Sequence, residues 1–526
     1  MSGDFSFHLM FILISSSSNN FFLFFQGLLF NMQCLAYLSK SFSNLTKASL
    51  CKPTLKGSIF SAYRCSKHMS SLNLQTVSGD PPQADVLHKR KFGSRVFILN
   101  RPNVLNALDL SMIRNMTPQL QAWNESDLCK VIILKANGKK AFCAGGDVKR
   151  VVELANRKKN GEVGVRPLRF FEEEFQLNHL IATLDKPFVA FMDGITMGGG
   201  VGLSVHAPFR IATENTIFAM PEVNIGYFPD VGGSFFLSRM DGEVGTYLAL
   251  TGSRLRGVDV FLSGIATHYV PSQRLSYLED RLSELESDDH EVINAAIEDF
   301  VSEPQQNHVY SLGGDIRKAI DRCFKGNTLE SIIDALTKEE NEKWSKEVIN
   351  TMLKMSPTSL KVTLRELRKG KQIVITDCFK MEYKLVQKFL EKSDFIEGVT
   401  ALLVDKREPK WNPSKLDDIS DDEIEKFYFE GSEKHQLNLL NIRSFENYPY
   451  SRFALPTEEE IQKVVTGETP DAGSVSMTQQ EVVDFFLKDR KAKIGVREKV
   501  LEVLNRKTTQ IDGQEGLKWV NDIKIK

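Results

Sequence analysis

The chain has 526 residues, of which 42% are hydrophobic and 26% are charged. These values are near the globular average and exclude a disordered, collagen-like or coiled-coil chain. The 67 basic and 68 acidic side chains almost cancel, so the net charge gives no reason to expect a nucleic-acid partner.

The charge is unevenly distributed along the chain. No acidic residue occurs from Gln33 to Gly79, whereas this stretch holds six basic residues among many Ser and Thr. Such a composition is typical of organelle transit peptides and predicts a targeting region over residues 1–79. A disordered basic tail is the alternative. The remaining residues, 61 basic and 67 acidic, form a mildly acidic body.

Residues 1–31 contain two apolar runs and one charged side chain, Asp4. Both runs fall short of the roughly 18–20 apolar residues that span a bilayer, and no positive segment precedes them as in a secretory signal. We therefore expect no membrane span here, and Met32 is a candidate start of the working protein.

The seven cysteines show neither a CxxC pair nor the spacing of metal ligands. This pattern favours buried thiols in a reducing compartment over a disulfide framework or a zinc site.

Short β-rich runs alternate with helical patterns between residues 87 and 270. Strands separated by helices predict an α/β layered fold. The strands are expected at 95–100, 130–136, 187–194 and 210–220, and one of the helices at 108–123.

The second half of the chain has mainly helical patterns. Three S/T-x-x-E capping boxes predict helix starts at Ser420/Glu423, Thr457/Glu460 and Thr478/Glu481. The predicted organisation after the targeting region is a core at 80–271, a helical part at 272–431 and a small helical extension at 432–526.

Two glycine clusters, in KAFCAGGDVK (140–149) and DGITMGGGVGLSVHA (193–207), each follow a predicted strand. Glycine lets the backbone approach a ligand, and two amides that converge on one oxygen form an oxyanion hole. A tight turn is the alternative explanation. Because the spacing matches neither GxGxxG nor a P-loop, nucleotide-dependent phosphoryl or hydride transfer is not expected.

Two acids, Glu222 and Asp230, stand among Phe, Met, Ile, Tyr and Pro in FAMPEVNIGYFPDVGGSFFLSR (218–239). Burial there would raise their pKa values and make them candidates for acid/base or nucleophilic chemistry. Acids that cap a turn or a helix end are the alternative.

These motifs, in this order, resemble the crotonase (enoyl-CoA hydratase/isomerase) superfamily over about residues 90–411, and most closely its 3-hydroxyisobutyryl-CoA hydrolases. The resemblance implies an α/β crotonase fold of repeated ββα units, an acyl-CoA substrate and the mitochondrial matrix, where those hydrolases serve valine catabolism. Further matching strings are LNRPNVLNALD (99–109), FFEEEFQLN (170–178), ALTGSRLRGVDVFLSGIATHYV (249–270) and SDFIEGVTALLVDK (393–406).

The same resemblance assigns roles to individual residues. The backbone amides of Gly146 and Gly199 would form the oxyanion hole for the thioester carbonyl. Glu222 and Asp230 would be the catalytic acids, while Glu174 would contact the substrate and Lys149 the CoA phosphates. CoA enters as part of the substrate, so no metal or redox cofactor is implied.

The resemblance also separates the possible reactions. Hydratases of the superfamily carry a second glutamate at the position of Gly202, and a glycine where this chain has Asp230. This pattern favours thioester hydrolysis, in which Glu222 attacks the carbonyl or activates water and Asp230 orients the substrate hydroxyl or transfers a proton. An enoyl-CoA hydratase or isomerase is the alternative.

The extension at 432–526 resembles the C-terminal region of fungal homologues that are similar to a protein of the mitochondrial small ribosomal subunit. This implies a ribosomal partner, with or without retained catalysis. Because the body is mildly acidic, such docking would be mainly through protein. A stability cap or an oligomer contact is the alternative, and the oligomeric state stays open.

Overall fold

The computed structural model describes residues 84–162, 166–304, 308–469, 476–511 and 515–520. The predicted targeting region and the candidate start at Met32 lie outside these ranges, as do three of the seven cysteines. The other four, Cys129, Cys143, Cys323 and Cys378, are buried free thiols, which confirms the expectation of buried thiols for these positions.

The strands form a larger and a smaller sheet in the body of the protein, and a two-stranded ribbon near the C-terminus. Their bounds are β1 (Val86–Lys91), β2 (Ser94–Leu99), β3 (Val131–Ala136), β4 (Ala141–Cys143), β5 (Phe188–Met192), β6 (Ile195–Met197), β7 (Phe209–Ala212), β8 (Ile217–Ala219), β9 (Leu255–Arg256), β10 (His268–Tyr269), β11 (Thr508–Gln510) and β12 (Leu517–Trp519).

The larger sheet has the order β1-β2-β3-β5-β7-β10. Only β1 runs antiparallel to its neighbour, and the other pairs are parallel. Parallel strands are covered on both faces, which explains why the apolar run of β2 is buried along its whole length. The smaller sheet has the order β4-β6-β8-β9, with β4, β6 and β8 parallel.

Consecutive strands alternate between the two sheets, as in β3 and β4, β5 and β6, and β7 and β8. This alternation is the ββα repeat expected of the fold. The predicted single strand at 210–220 was therefore wrong, since it divides into β7 and β8. The Thr216 hydroxyl makes the turn between them by accepting from the Thr213 amide at 2.8 Å and donating to the Met192 carbonyl at 2.6 Å.

The predicted helix at 108–123 is α1, which the Asp109 carboxylate caps by accepting from the Met112 amide. No helix in the described ranges is long and apolar enough to cross a membrane. The bounds are α1 (Leu110–Asn124), α2 (Val148–Lys159), α3 (Leu168–Ala182), α4 (Gly199–Gly202), α5 (Gly233–Phe236), α6 (Val244–Thr251), α7 (Val258–Leu262), α8 (Leu275–Ser283), α9 (His290–Glu298), α10 (Gly314–Cys323), α11 (Leu329–Thr337), α12 (Glu342–Met352), α13 (Pro357–Gly370), α14 (Ile375–Glu391), α15 (Asp394–Val399), α16 (Asp421–Ile424), α17 (Glu458–Val465), α18 (Gln479–Asp489) and α19 (Val496–Lys507).

The three predicted capping boxes are present at the starts of α16, α17 and α18, with both reciprocal hydrogen bonds in each. The extension also contains the antiparallel pair β11 and β12, which its helical pattern did not predict. It packs closely on the body: Phe453 is buried in the core on one face of the larger sheet, with its ring 5.0 Å from that of Phe209.

Candidate active site

The two glycine clusters meet because the strands before them are neighbours. β4 and β6 pair in parallel, with Ala141 opposite Ile195. The turns that follow parallel strands lie at the same edge of the sheet. Gly146 and Gly199 are therefore close, and a Cβ added to Gly199 would lie 3.1 Å from the Gly146 nitrogen.

Both of these amides are available as donors. In the part of the chain that the structure describes, neither the Gly146 nor the Gly199 N–H donates a hydrogen bond to a protein group. Gly199 is the first residue of α4, where a backbone N–H has no partner within the helix. The pair has the arrangement that an oxyanion hole requires.

Three buried carboxyl groups surround these amides. Glu174 on α3, Glu222 after β8 and Asp230 are only 2%, 6% and 5% exposed. A Cβ added to Gly199 would lie 2.6 Å from Glu174 Oε1, and one added to Gly198 would lie 2.8 Å from Glu222 Oε1. Only glycine therefore fits between the two glutamates, and Gly198 also needs its positive φ of 47°.

Burial is the main cause of a raised pKa at all three acids, as the sequence predicts for Glu222 and Asp230. It raises the pKa of Glu222 well above its ordinary value, and the nearby Asp230 charge adds to the effect. The pKa of Glu174 is raised by burial and by both neighbours. Burial raises the pKa of Asp230 to about 7, although the Tyr227 hydroxyl, which donates to Oδ2 at 3.1 Å, opposes the shift.

Glu174 Oε1 and Glu222 Oε2 are buried without a hydrogen-bond partner among the described residues. Unpartnered buried oxygens are costly, so these two atoms are free to contact a substrate or a water molecule.

Lys149 lies apart from this cluster. It is exposed on the first turn of α2, and no hydrogen bond or ion pair joins it to another described residue. The geometry brings together Gly146, Gly199, Glu174, Glu222 and Asp230. The contact of Lys149 with the CoA phosphates stays a prediction.

A profile of the enoyl-CoA hydratase/isomerase family matches residues 94–428, which is more than half of the chain. The chain belongs to this family.

Individual relatives carry two kinds of name. A protein of Neurospora crassa called small ribosomal subunit protein mS47 is 46% identical over 463 residues, which cover 84% of this chain and 89% of that one. The mitochondrial 3-hydroxyisobutyryl-CoA hydrolase of Rattus norvegicus is 43% identical over 393 residues, covering 74% and 95%. A solved carnitinyl-CoA dehydratase from Mycobacterium thermoresistibile superposes with a TM-score of 0.62 and 33% identity, covering 68% and 100%. The α/β fold is thus the crotonase fold.

The position where hydratases of this family carry a second glutamate has no room for a side chain here. A Cβ added to Gly202 would lie 2.7 Å from the Val231 Cβ and 2.9 Å from both amide atoms of Asn178. The space is filled because Val231, the residue after Asp230, turns its side chain toward α4. The packing around Asp230 therefore excludes a glutamate side chain at the position of Gly202.

Sequence reasoning missed two further buried acids, Glu366 on α13 and Glu382 on α14. Glu382 accepts hydrogen bonds from the amides of Gly232 and Ser234 at 2.7 and 3.0 Å, so it holds the turn that follows Asp230. Neither Glu366 oxygen has a partner among the described residues. Both acids lie in helices rich in charge, and only tertiary contacts distinguish them from exposed residues.

Proposed function

We propose that this chain is a mitochondrial thioester hydrolase that converts 3-hydroxyisobutyryl-CoA to 3-hydroxyisobutyrate and CoA. The observation that carries the proposal is the set of three buried carboxyls around two unpaired amides, with no space for the second glutamate of a hydratase. The names of the hydrolase relatives support the substrate, and their mitochondrial location supports that of this chain.

The amides of Gly146 and Gly199 would bind the thioester oxygen. Attack on the carbonyl carbon moves charge onto this oxygen, and two preorganised N–H donors stabilise that charge most in the transition state. Loss of one such donor raises the barrier by roughly 2.7–4 kcal/mol. The proposed reaction needs no cofactor, because CoA enters as part of the substrate.

Glu222 would supply the base or the nucleophile. In one route its carboxylate removes a proton from water, which attacks the carbonyl; in the other it attacks directly and water then cleaves the anhydride. In both routes the C–S bond breaks and the CoA thiolate takes up a proton. Asp230 would orient the substrate hydroxyl or transfer that proton, and Glu174 would contact the substrate.

The two routes differ in the fate of one oxygen atom. In the covalent route, water that cleaves the anhydride at the Glu222 carbonyl carbon leaves oxygen-18 on Glu222 after a single turnover in oxygen-18 water, whereas the general-base route places the label only in the product acid. Mass analysis of the peptide that contains Glu222 detects the label.

The principal test is Glu222→Gln, which keeps the shape of the side chain but cannot act as a base. We expect hydrolysis of 3-hydroxyisobutyryl-CoA to fall about 100-fold or more. Glu172→Gln, on α3 and outside the carboxyl cluster, is the matched control and should retain the wild-type rate. Near-normal turnover by Glu222→Gln would refute the proposal.

The raised pKa of Glu222 also predicts the pH dependence. The Glu222 carboxyl must be ionised in either route, so kcat/KM should rise with pH over a range above the ordinary pKa of a glutamate and level off above the raised pKa. A rate that falls over this range would contradict the role of Glu222. An assay with crotonyl-CoA tests the hydratase alternative, which requires hydration to exceed thioester hydrolysis.

The Neurospora relative favours a second function, association with the mitochondrial small ribosomal subunit, with or without catalysis. The family profile ends at residue 428 of this chain, whereas the alignment with the ribosomal relative covers 89% of that relative's length. If this function holds, the full-length tagged chain co-sediments with the small subunit, and Glu222→Gln does so equally well. Sedimentation of the whole pool as free protein would rule out the association.

A further inference from the structure

Residues 438–453 of the extension, which we call the strap, contact the active-site region. The strap crosses α3, which carries Glu174: the Gln176 side chain donates to the Asn438 carbonyl at 2.8 Å, and His179 Nε2 lies 2.9 Å from the Arg443 carbonyl. Further on, the Ile375 amide donates to the Phe445 carbonyl at 3.1 Å. The strap then reaches His206.

His206 connects the strap to the turn that carries Asp230. Its Nε2 lies 2.7 Å from the Val231 carbonyl and its Nδ1 lies 2.7 Å from the Tyr448 hydroxyl. A carbonyl only accepts, so Nε2 carries the proton. Burial lowers the pKa of His206 to about 4, so the ring is neutral near pH 7. Nδ1 is therefore an acceptor, and the Tyr448 hydroxyl donates to it.

The turn that receives this hydrogen bond is strained. Val231 has a φ of +53°, a region that β-branched residues avoid because of steric clash. Such a conformation is energetically costly and persists only where the surroundings enforce it. Two groups hold the turn: His206 at the Val231 carbonyl, and Glu382 at the Gly232 amide.

The ring of His206 has little freedom once these contacts are made. A Cβ added to Gly232 would lie 2.6 Å from His206 Nε2, and the ring packs against Phe379 with centroids 5.6 Å apart. On the strap side, the ring of Tyr448 packs against Phe235 with centroids 5.1 Å apart and also borders a cavity of about 770 Å³. The Tyr448 hydroxyl is the polar group of the strap that contacts the His206 ring.

We propose that the extension takes part in the active site: Tyr448, through His206 and the Val231 carbonyl, positions the turn that carries Asp230. Tyr448 and His206 are positioning residues, since neither contacts the carboxyl cluster. The inference deepens the proposed hydrolase function and rests on it. It gives the extension, which lies beyond the part matched by the family profile, a role in turnover.

The test is Tyr448→Phe in the full chain, with Tyr450→Phe as the matched control. Tyr450 lies two residues further along the strap and stacks on His290, and its hydroxyl makes no hydrogen bond to another described residue. We expect Tyr448→Phe to lower kcat about tenfold, since small displacements of catalytic groups have effects of this size or larger. KM should change by less than about twofold, because substrate contacts remain. Tyr450→Phe should leave both constants unchanged.

A double-mutant cycle shows whether Tyr448 acts through His206. In a His206→Gln background, Tyr448→Phe should have almost no further effect on kcat, since coupled residues are not additive. Full additivity, or equal losses in Tyr448→Phe and Tyr450→Phe, would overturn the inference.

A second measurement does not depend on activity. Hydrogen exchange at the Gly232 amide should be faster in Tyr448→Phe than in the wild type or in Tyr450→Phe. If the wild type hydrolyses no thioester, the proposed function fails while faster exchange still shows the structural link. Unchanged exchange in Tyr448→Phe would refute the link itself.

Discussion

Two groups of ionisable side chains, one in the active site and one where the extension meets the body, have opposite character. In the active site, Glu174, Glu222 and Asp230 are buried without a Lys or Arg partner in the described ranges, and burial raises their pKa values. Where the extension meets the body, Glu458 at the start of α17 lies 2.8 Å from both Arg317 Nη2 and Arg506 Nη2. Burial alone would raise the pKa of Glu458, but the two guanidinium groups hold it below its ordinary value.

This difference in charge pairing distinguishes a site suited to catalysis from a contact that stabilises the fold. A buried acid with a raised pKa gains or loses its proton near neutral pH, so it is suited to acid/base work. A partly buried acid between two arginines, such as Glu458, stays ionised and holds three helices, α10, α17 and α19, together. Unpaired charge weakens the fold in the active site, whereas paired charge secures the extension to the body.

The largest loss of stability is expected from Glu458→Gln. It removes one of two carboxylates shared by Arg317 and Arg506, whose side chains are 2% and 3% exposed; the other is Asp321, at 3.0 and 3.4 Å. Breaking a buried ion pair costs about 3–5 kcal/mol where no partner remains, and because Asp321 remains we expect a loss at the lower end of this range, measured as the free energy of unfolding in urea. The neighbouring Glu459→Gln, an exposed position, is the control and should cost less than about 0.5 kcal/mol. Equal effects of the two variants would contradict the comparison.

Asp230→Asn is expected to raise the free energy of unfolding at alkaline pH, whereas Glu458→Gln lowers it. Folding raises the pKa of Asp230 from near 3.8 to about 7. The free energy of unfolding therefore falls as the pH rises between these two pKa values. The variant lacks this carboxyl group, so at pH 8 it should be more stable than the wild type, by up to about 4 kcal/mol, since a difference of one in pKa corresponds to ~1.4 kcal/mol. At pH 4 this gain should be absent. Urea unfolding at both pH values measures the difference, and a variant that is less stable at pH 8 would refute it.

The smallest effect is expected from an exposed pair between the extension and the body. Lys434 Nζ lies 2.6 Å from Glu391 Oε1, and the lysine side chain is 71% exposed. Because water and salt screen such pairs, Lys434→Ala should change the free energy of unfolding by less than about 0.5 kcal/mol. A loss as large as that of Glu458→Gln would show that burial does not distinguish the two kinds of pair.

Several features were predictable because they depend on local sequence. The capping boxes at Thr457 and Thr478 needed only a residue pair three positions apart, and both helices begin there. The apolar surroundings of Glu222 and Asp230 indicated their burial, which the structure confirms. The division of 210–220 into two strands was not predictable, because it depends on hydrogen bonds of Thr216 to a turn and to another strand.

The glycine turns and the acids that follow them could be read from the sequence because each is a short motif, and the family could be inferred from the resemblance of these motifs to known members. Which groups act together depends on how distant elements pack. Glu366 and Glu382 come from distant helices, and the contact of Tyr448 with His206 spans 242 positions of the chain. Such contacts form when separate elements pack, so no periodicity or spacing in the sequence records them.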